Sequence, residues 1–266
     1  MEKKYKLTEE TININGKTLY RIEALRDFSD VKKGDKGGFI ENEENLSQYR
    51  DCWICDNAKV YDNARVFEDA RVRDNAKIYG DAKVYGNAWV YDYAQVYDDV
   101  EIYGSAKVYG DVRVFDNAEV FGKAIVCDKA IVCDDTGIFG NAKVYGNAWV
   151  FDNAIVCGNA EVYDKAIVCD NAKVCGSAKV YDIAKVCGKA VVYGNAVVCG
   201  KSDYIVFKNW WSSGRHFTWT RSNDMWKVGC FYGTGKELIE KAYKDSEKSG
   251  KEYERIVKYV EAIKAE

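Results

Sequence analysis

Residues 82–90 read AKVYGNAWV, and residues 142–150 read the same nine letters again. Both copies belong to one unbroken period. From Ile54 to Val198 every sixth residue is Val or Ile, 25 positions in succession without an insertion or deletion. Two residues ahead of each lies a small residue, Ala at 21 of the 25 places, with Cys52, Val100, Val112 and Thr136 in the others. A fixed period of this kind builds a stack in which each unit buries the face of the next.

Side chains on a strand alternate between its two faces, so Ala and Val share one face, while the residue between them and the residue after Val share the other. Lys59, Lys83, Lys107 and Lys143 occupy the between positions. An interior column of unpaired ammonium groups is prohibitive, so Ala and Val point inward. The tyrosines that follow Val (Tyr61, Tyr79, Tyr85, Tyr91, Tyr97, Tyr103) then point outward, although they are the larger apolar groups. Gly, Asn and Asp fall where the backbone turns, and these residues best tolerate left-handed conformations. Three strands and three corners close one coil of three six-residue units, and successive coils stack as parallel strands. About eight coils at roughly 4.8 Å each predict a prism on the order of 40 Å long. Sixty residues is three coils and one side, which puts Trp89 and Trp149 on different sides. The absence of Pro suits an uninterrupted ladder of backbone hydrogen bonds.

The units VYGNAW (84–89) and VYDNAR (60–65) resemble the hexapeptide-repeat family, in which an aliphatic residue is followed four positions later by a small one. The resemblance covers residues 52–200. It implies an all-β solenoid, a left-handed parallel β-helix of about eight coils, with an N-terminal β cap over 1–51 and a C-terminal α+β module over 201–266. Many hexapeptide helices are trimeric acyltransferases using acetyl-CoA or acyl carrier protein, with a His as general base at a subunit boundary. A fold of this kind hosts more than one function, so the site has to be argued separately.

Both flanks read as covers for the bare strand edges that a stack of coils leaves at its ends. Asn15-Gly16 between TINI and TLYRI predicts a hairpin. The following DFSDVKKGDKGGFIENEENLSQ (27–48) resembles the N-terminal segment of bacterial hexapeptide proteins catalogued as acyltransferases. After Gly200 the period is lost. Residues 203–232 read as aromatic-rich strands, and two helices follow, one opening at Thr234 with Glu237 and one at Ser249 with Glu252 as capping boxes. Tyr253, Ile256, Val257, Val260 and Ile263 form one apolar stripe. TRSNDMWKVGCFYGTGKELIEKAY resembles a C-terminal module of hexapeptide proteins from Gram-positive bacteria and their phages, which implies a bacterial or phage origin.

Candidate chemistry is sparse. The only His is His216, outside the repeats in SSGRHF; it reads as an exposed hairpin side chain and is the one candidate base if the chain is an acyltransferase. The unbroken register also leaves no looped excursion to wall a donor site. Cys52 and Cys55 form a lone CxxC, but one lies at an inward position and the other at an outward one, so they do not chelate a metal together. Cys157 with Cys175, and Cys169 with Cys187, are same-face neighbours one coil apart, close enough for oxidation or a soft metal; the favoured reading is free thiols filling outer apolar positions in a reducing compartment. GTGK (233–236) lacks the spacing and the Ser or Thr of a phosphate loop and reads as a helix start. No cofactor and no metal are expected.

Charge excludes more than it suggests. There are 39 basic and 42 acidic residues, with 13 against 10 in residues 201–266 and a mild acidic excess in the first 200. Stacking of single-stranded nucleic acid on the Lys-Tyr columns is disfavoured by that balance. No apolar run approaches the roughly 18 residues of a membrane span, and a cytoplasmic location is expected. The outer surface supplies the leading site. Sorting outward positions by coil places Ile131 and Cys133, Trp149 and Phe151, and Ile167 and Cys169 on three successive strands of one face. An apolar patch of this kind marks an interface. A second surface is expected on the C-terminal module from Trp210, Trp211, Arg215, Trp219 and Arg221. The expected function is therefore a non-enzymatic scaffold that binds a protein partner or self-associates, with an inhibitory role if it is phage-borne. A trimeric acyltransferase is the alternative.

Overall fold

The hairpin signal and the six-residue period both become strands, but the coil starts earlier than the strict period does. The computed structural model describes residues 3–265. Strands β1 (Tyr5–Ile14) and β2 (Lys17–Ala24) pair antiparallel around Asn15-Gly16, whose φ angles of 51° and 83° are those a tight hairpin turn requires. The outer edge of β1 carries Lys6, Glu9 and Glu10 and an irregularity between Leu7 and Thr11, features that discourage pairing with another chain. Strand β3 (Lys36–Ile40) pairs antiparallel with β2 and parallel with β5 (Lys59–Val60). The glycines of GDKGG make that approach possible. A Cβ on Gly37 would lie 2.5 Å from the Ile54 carbonyl oxygen, and one on Gly38 2.5 Å from that of Ala58.

Ile40 pairs with Val60, and Leu46 bridges Val66. In both pairs the partner lies 20 residues on, not 18, so the first two sides of the solenoid escape the sequence period. From there 25 two-residue strands, β4 (Trp53–Ile54) to β28 (Val197–Val198), follow without interruption and complete about nine turns. They form three parallel sheets. The first face holds β4 and every third strand to β28. The second runs from β5 to β26 (Lys185–Val186), and the third from β6 (Arg65–Val66) to β27 (Val191–Val192). Trp89 lies on the first face and Trp149 on the second, the separation predicted from the repeat arithmetic.

Parity holds throughout the coil. Each Val and Ile of the period, and each Ala before it, is buried. Burying a Val is worth roughly 1.5–3 kcal/mol before the chain entropy it must offset. Thr136, the one hydroxyl at an inward position, donates to the Cys133 carbonyl at 2.6 Å and so carries no unpaired polar group into the core. Outside, the rings stack one turn apart: Tyr61, Tyr79, Tyr97 and Phe115 on the second face, and Phe67, Tyr85, Tyr103, Phe121 and Phe139 on the third, with centroids 4.7 to 5.1 Å apart.

At the corners the residue after the outer ring takes positive φ, and in the coil it is Asp, Gly or Glu68. Asp serves there because its carboxylate accepts the backbone N–H of the residue one turn on, as Asp74 N–H to Asp56 and Asp170 N–H to Asp152, at 3.2 and 3.0 Å. The corner between the third and first faces instead carries glycine from Gly86 to Gly194.

Within each strand pair the parallel ladder runs both ways, but the bonds flanking the strands run from the N–H groups of one turn to the carbonyls of the next, as Lys59 N–H to Ala76 and Asn57 N–H to Asp74. The first turn therefore exposes mainly carbonyls and the last turn mainly N–H groups. The two caps differ in kind to match. At the start, donors arrive: the Lys4 ammonium to Cys52 O at 2.8 Å, the Tyr5 hydroxyl to Leu46 O at 2.6 Å, Arg21 to Gly37 O at 2.7 Å, and the Asn45 amide to Asp62 O and Ala64 O at 2.9 Å. At the end, acceptors predominate, beside one donor, the Tyr204 hydroxyl to Lys185 O at 3.0 Å. Val191 N–H reaches Thr218 Oγ1 at 2.8 Å, Val197 N–H reaches Ser222 Oγ at 2.6 Å, and Cys199 and Gly200 N–H share Asp203 Oδ2 at 2.7 Å.

Those acceptors lie on or beside the strands of an antiparallel sheet, β29 (Tyr204–Lys208), β30 (His216–Thr220), β31 (Met225–Val228) and β32 (Phe231–Gly233), followed by α1 (Gly235–Asp245) and α2 (Glu247–Ala265). Trp211, Phe217, Trp219, Trp226, Leu238, Tyr253, Val257 and Val260 form its own core. The Thr234–Glu237 capping box opens α1 as the sequence predicts. The second helix starts earlier than expected, at Glu247, with Ser246 Oγ accepting Ser249 N–H at 3.1 Å. Only Ser246 separates the helices, and Gly250 lets them close on Tyr243, where a Cβ would meet the ring at 2.3 Å.

Candidate protein-binding face

The second face assembles the outer residues singled out from the sequence. Strands β17 (Ile131–Val132), β20 (Trp149–Val150) and β23 (Ile167–Val168) are consecutive neighbours, with Ile131 paired to Trp149 and Trp149 to Ile167. Val132, Val150 and Val168 turn into the core, so Ile131, Trp149 and Ile167 must turn out. Trp149 is 49% exposed, the highest point of the row, and the two isoleucines flank it half-buried. Rigid strands hold these side chains in place, and no loop has to order before contact is made.

Along the same column the row is bracketed by cations. Toward the N-terminus come Lys59, Lys77, Gln95 and Arg113, and beyond Ile167 comes Lys185, each paired in register with the next. One edge of the face is the acidic corner column Asp116, Asp134, Asp152 and Asp170. Each of these carboxylates accepts an N–H from the following turn, at 3.4, 3.1, 3.0 and 2.8 Å respectively.

The residues after Val complete the face differently from one another. Phe151 is part-exposed. Cys133 donates to Asp134 Oδ2 at 3.3 Å; burial, then this bond and the neighbouring carboxylates, push its thiol up to about 12, so it stays protonated and apolar at neutral pH. Cys169 corrects the free-thiol expectation: it forms a disulfide with Cys187 one turn on and is nearly buried. Parallel stacking set the Cα atoms of that pair 4.8 Å apart, within the range a disulfide spans. The sequence showed the adjacency, but the composition argument for a reducing compartment outweighed it.

The second expected surface breaks up. Trp219 is fully buried with its indole N–H on Asp224 Oδ1 at 2.9 Å, and Trp211 is 8% exposed, packed edge-on against Tyr253. Both belong to the module's core, because β30 turns Phe217 and Trp219 toward the helices. Trp210 stays 69% exposed, with Arg215 and Arg221 also outside, but they no longer make one aromatic surface. His216 opens β30 opposite Lys208, on the hairpin that ends in the 209–215 turn. Cys52 is buried under Lys4 while Cys55 lies at the surface side, so the CxxC does not gather a ligand pair. The N-terminus of α1 is occupied by the chain's own Glu237 carboxylate, which accepts from Thr234 N–H at 2.8 Å.

No protein-family model matches the chain, and no curated protein is significantly similar to it. No helix among the described residues is long and apolar enough to cross a membrane. Sequence reasoning missed the capping donors Lys4, Tyr5, Arg21 and Asn45. Their signal was the excess of bonds running from N–H groups to the next turn's carbonyls, which leaves the first end short mainly of donors.

Proposed function

We propose that the protein is a non-enzymatic β-solenoid scaffold that binds another protein through the second face, with Trp149 as the anchor. The observation that carries this reading is the in-register row Ile131, Trp149, Ile167 on a rigid sheet, bracketed by Arg113 and Lys185. Exposed apolar rows on the order of a few hundred Å² mark interaction sites, and Trp flanked by less exposed neighbours is the usual anchor of one. The charge pattern favours one kind of occupant. A second copy of this face laid on it two-fold would set Arg113 and Lys185 against cations. The fitting partner is a protein segment with an apolar centre and acidic ends.

Likeness to hexapeptide proteins, with their left-handed coil and acyltransferase members, rests on the repeat alone, and the alternative enzyme role depends on His216. The test is selection of displayed peptides on the immobilised full chain, with Trp149→Glu as the counter-target. Peptides with apolar centres and Asp or Glu flanks should bind the wild type and not the variant. Equal binding to both proteins, or enrichment of basic peptides, would remove the proposed face.

A further inference from the structure

The outer columns of the second and third faces are aromatic in their first turns and carry cysteines further on. On the third face, Phe139 is followed by Cys157 and Cys175 before Tyr193 resumes the column. The two thiols directly follow neighbouring in-register strands, β21 (Ile155–Val156) and β24 (Lys173–Val174), with sulfurs 2.7 Å apart. On the second face, Cys169 and Cys187 stand in the same relation and are bonded. The backbone around the two pairs is equivalent. Cys169 N–H donates to Val186 O and Cys157 N–H to Val174 O, so the ladder holds the third-face pair as it holds the bonded one.

We propose that Cys157 and Cys175 are a dithiol site that reacts with small-molecule disulfides and closes into a second bridge between turns. Three features of the surroundings suit that reaction. Both cysteines are part-exposed. The corner residues after them are Gly158 and Gly176, which place no side chain over the approach, whereas Asp170 follows Cys169. Contact with Cys175, then the Lys173 ammonium, holds the Cys157 thiol below its usual range, while the same contact and burial raise Cys175. The two sulfurs touch, so an adduct formed on Cys157 lies within reach of Cys175.

The exchange balances in two steps. The Cys157 thiolate attacks one sulfur of RS–SR; that S–S bond breaks, RS⁻ leaves and takes a proton from solvent, and Cys157 carries SR. Cys175 then gives its proton to solvent and attacks the Cys157 sulfur. The mixed disulfide breaks and a second RSH leaves. The protein dithiol is oxidised by two electrons and the small disulfide is reduced to two thiols.

Trypsin separates the four cysteines, because Lys143, Lys165, Lys173, Lys179, Lys185 and Lys189 punctuate the repeats. The fully reduced, full-length chain is equilibrated with oxidised and reduced glutathione at stepped ratios, acid-quenched, alkylated, digested and weighed. Peptides 144–165 and 174–179 should appear joined, with both thiols lost to alkylation, at a ratio that leaves Cys133 alkylated. In Cys175→Ser, with folding checked by circular dichroism, Cys157 should stop as the glutathione adduct. Full alkylation of Cys157 and Cys175 where peptides 166–173 and 186–189 have already joined would overturn the proposal. So would a wild-type chain that halts at the adduct.

Discussion

The polarity of the coil makes a sharp prediction at Thr218. The residue is 1% exposed, and its hydroxyl accepts the Val191 N–H at 2.8 Å, in the place a further turn's carbonyl would occupy. Thr218→Val keeps the shape of the side chain and replaces the acceptor by a methyl. A buried donor left without a partner costs about 1–3 kcal/mol. In a solenoid each turn contacts only its neighbours, so the cost should stay at the last turn and its cap. It should appear as a roughly 5- to 150-fold faster hydrogen exchange of the Val191 amide, since about 1.4 kcal/mol is tenfold. Amides near Val120, several turns away, should keep wild-type protection. Thr218→Ser, which retains the hydroxyl, should keep Val191 protected. Wild-type exchange at Val191 in the valine variant, or equal opening in the serine variant, would refute the donor-and-acceptor account of the ends.

Two further expectations follow from the corners and the ladders. Gly122 has φ +72°, and a Cβ there would lie 3.0 Å from the Gly140 backbone nitrogen; Gly122→Ala should therefore cost about 1–2 kcal/mol in denaturant melts, and an unchanged midpoint would refute the crowding of that corner. Burial, followed by neighbouring phenols for Tyr79 and Glu161 for Tyr145, pushes both hydroxyls up to about 12. A folded pKa above the unfolded one means that the native state binds more protons in the window between them. Their stabilisation is then complete below about pH 10 and is lost as pH rises toward about 12. Tyrosinate absorbance and the melting midpoint should change together in that window, and phenols titrating near 10 in the native chain would contradict the packed ladders.

Almost everything inside the coil was legible in the sequence, and much of what closes it was not. Inward Val and Ala followed from the cost of burying Lys59 or Lys143, an argument that needs no neighbour. The first two sides were hidden because Ile40 and Leu46 pair across 20 residues. The burial of Trp219 was hidden because a short strand without a period gives no parity; only the helices packed on β30 decide which way it faces. At Cys169 two correct observations competed, thiols one turn apart and a composition typical of reduced proteins, and the local geometry prevailed.

That difference indicates where the chain carries information beyond its fold. Inward positions are fixed by packing and repeat nearly without variation, so they can specify nothing about a partner. The outward columns are free to vary, and a stacked ring at each level would serve the coil equally well. Departures from that background are the informative residues. On the second face the between column changes from Lys59, Lys77 and Arg113 to Ile131, Trp149 and Ile167 and back to Lys185, although Lys would serve the strand at any of these levels. On the third face the rings give way to two adjacent thiols and then return as Tyr193. A solenoid needs neither change in order to fold, so the chemistry these residues bring, an apolar ridge between cations and a pair of touching sulfurs, is where its function is to be sought.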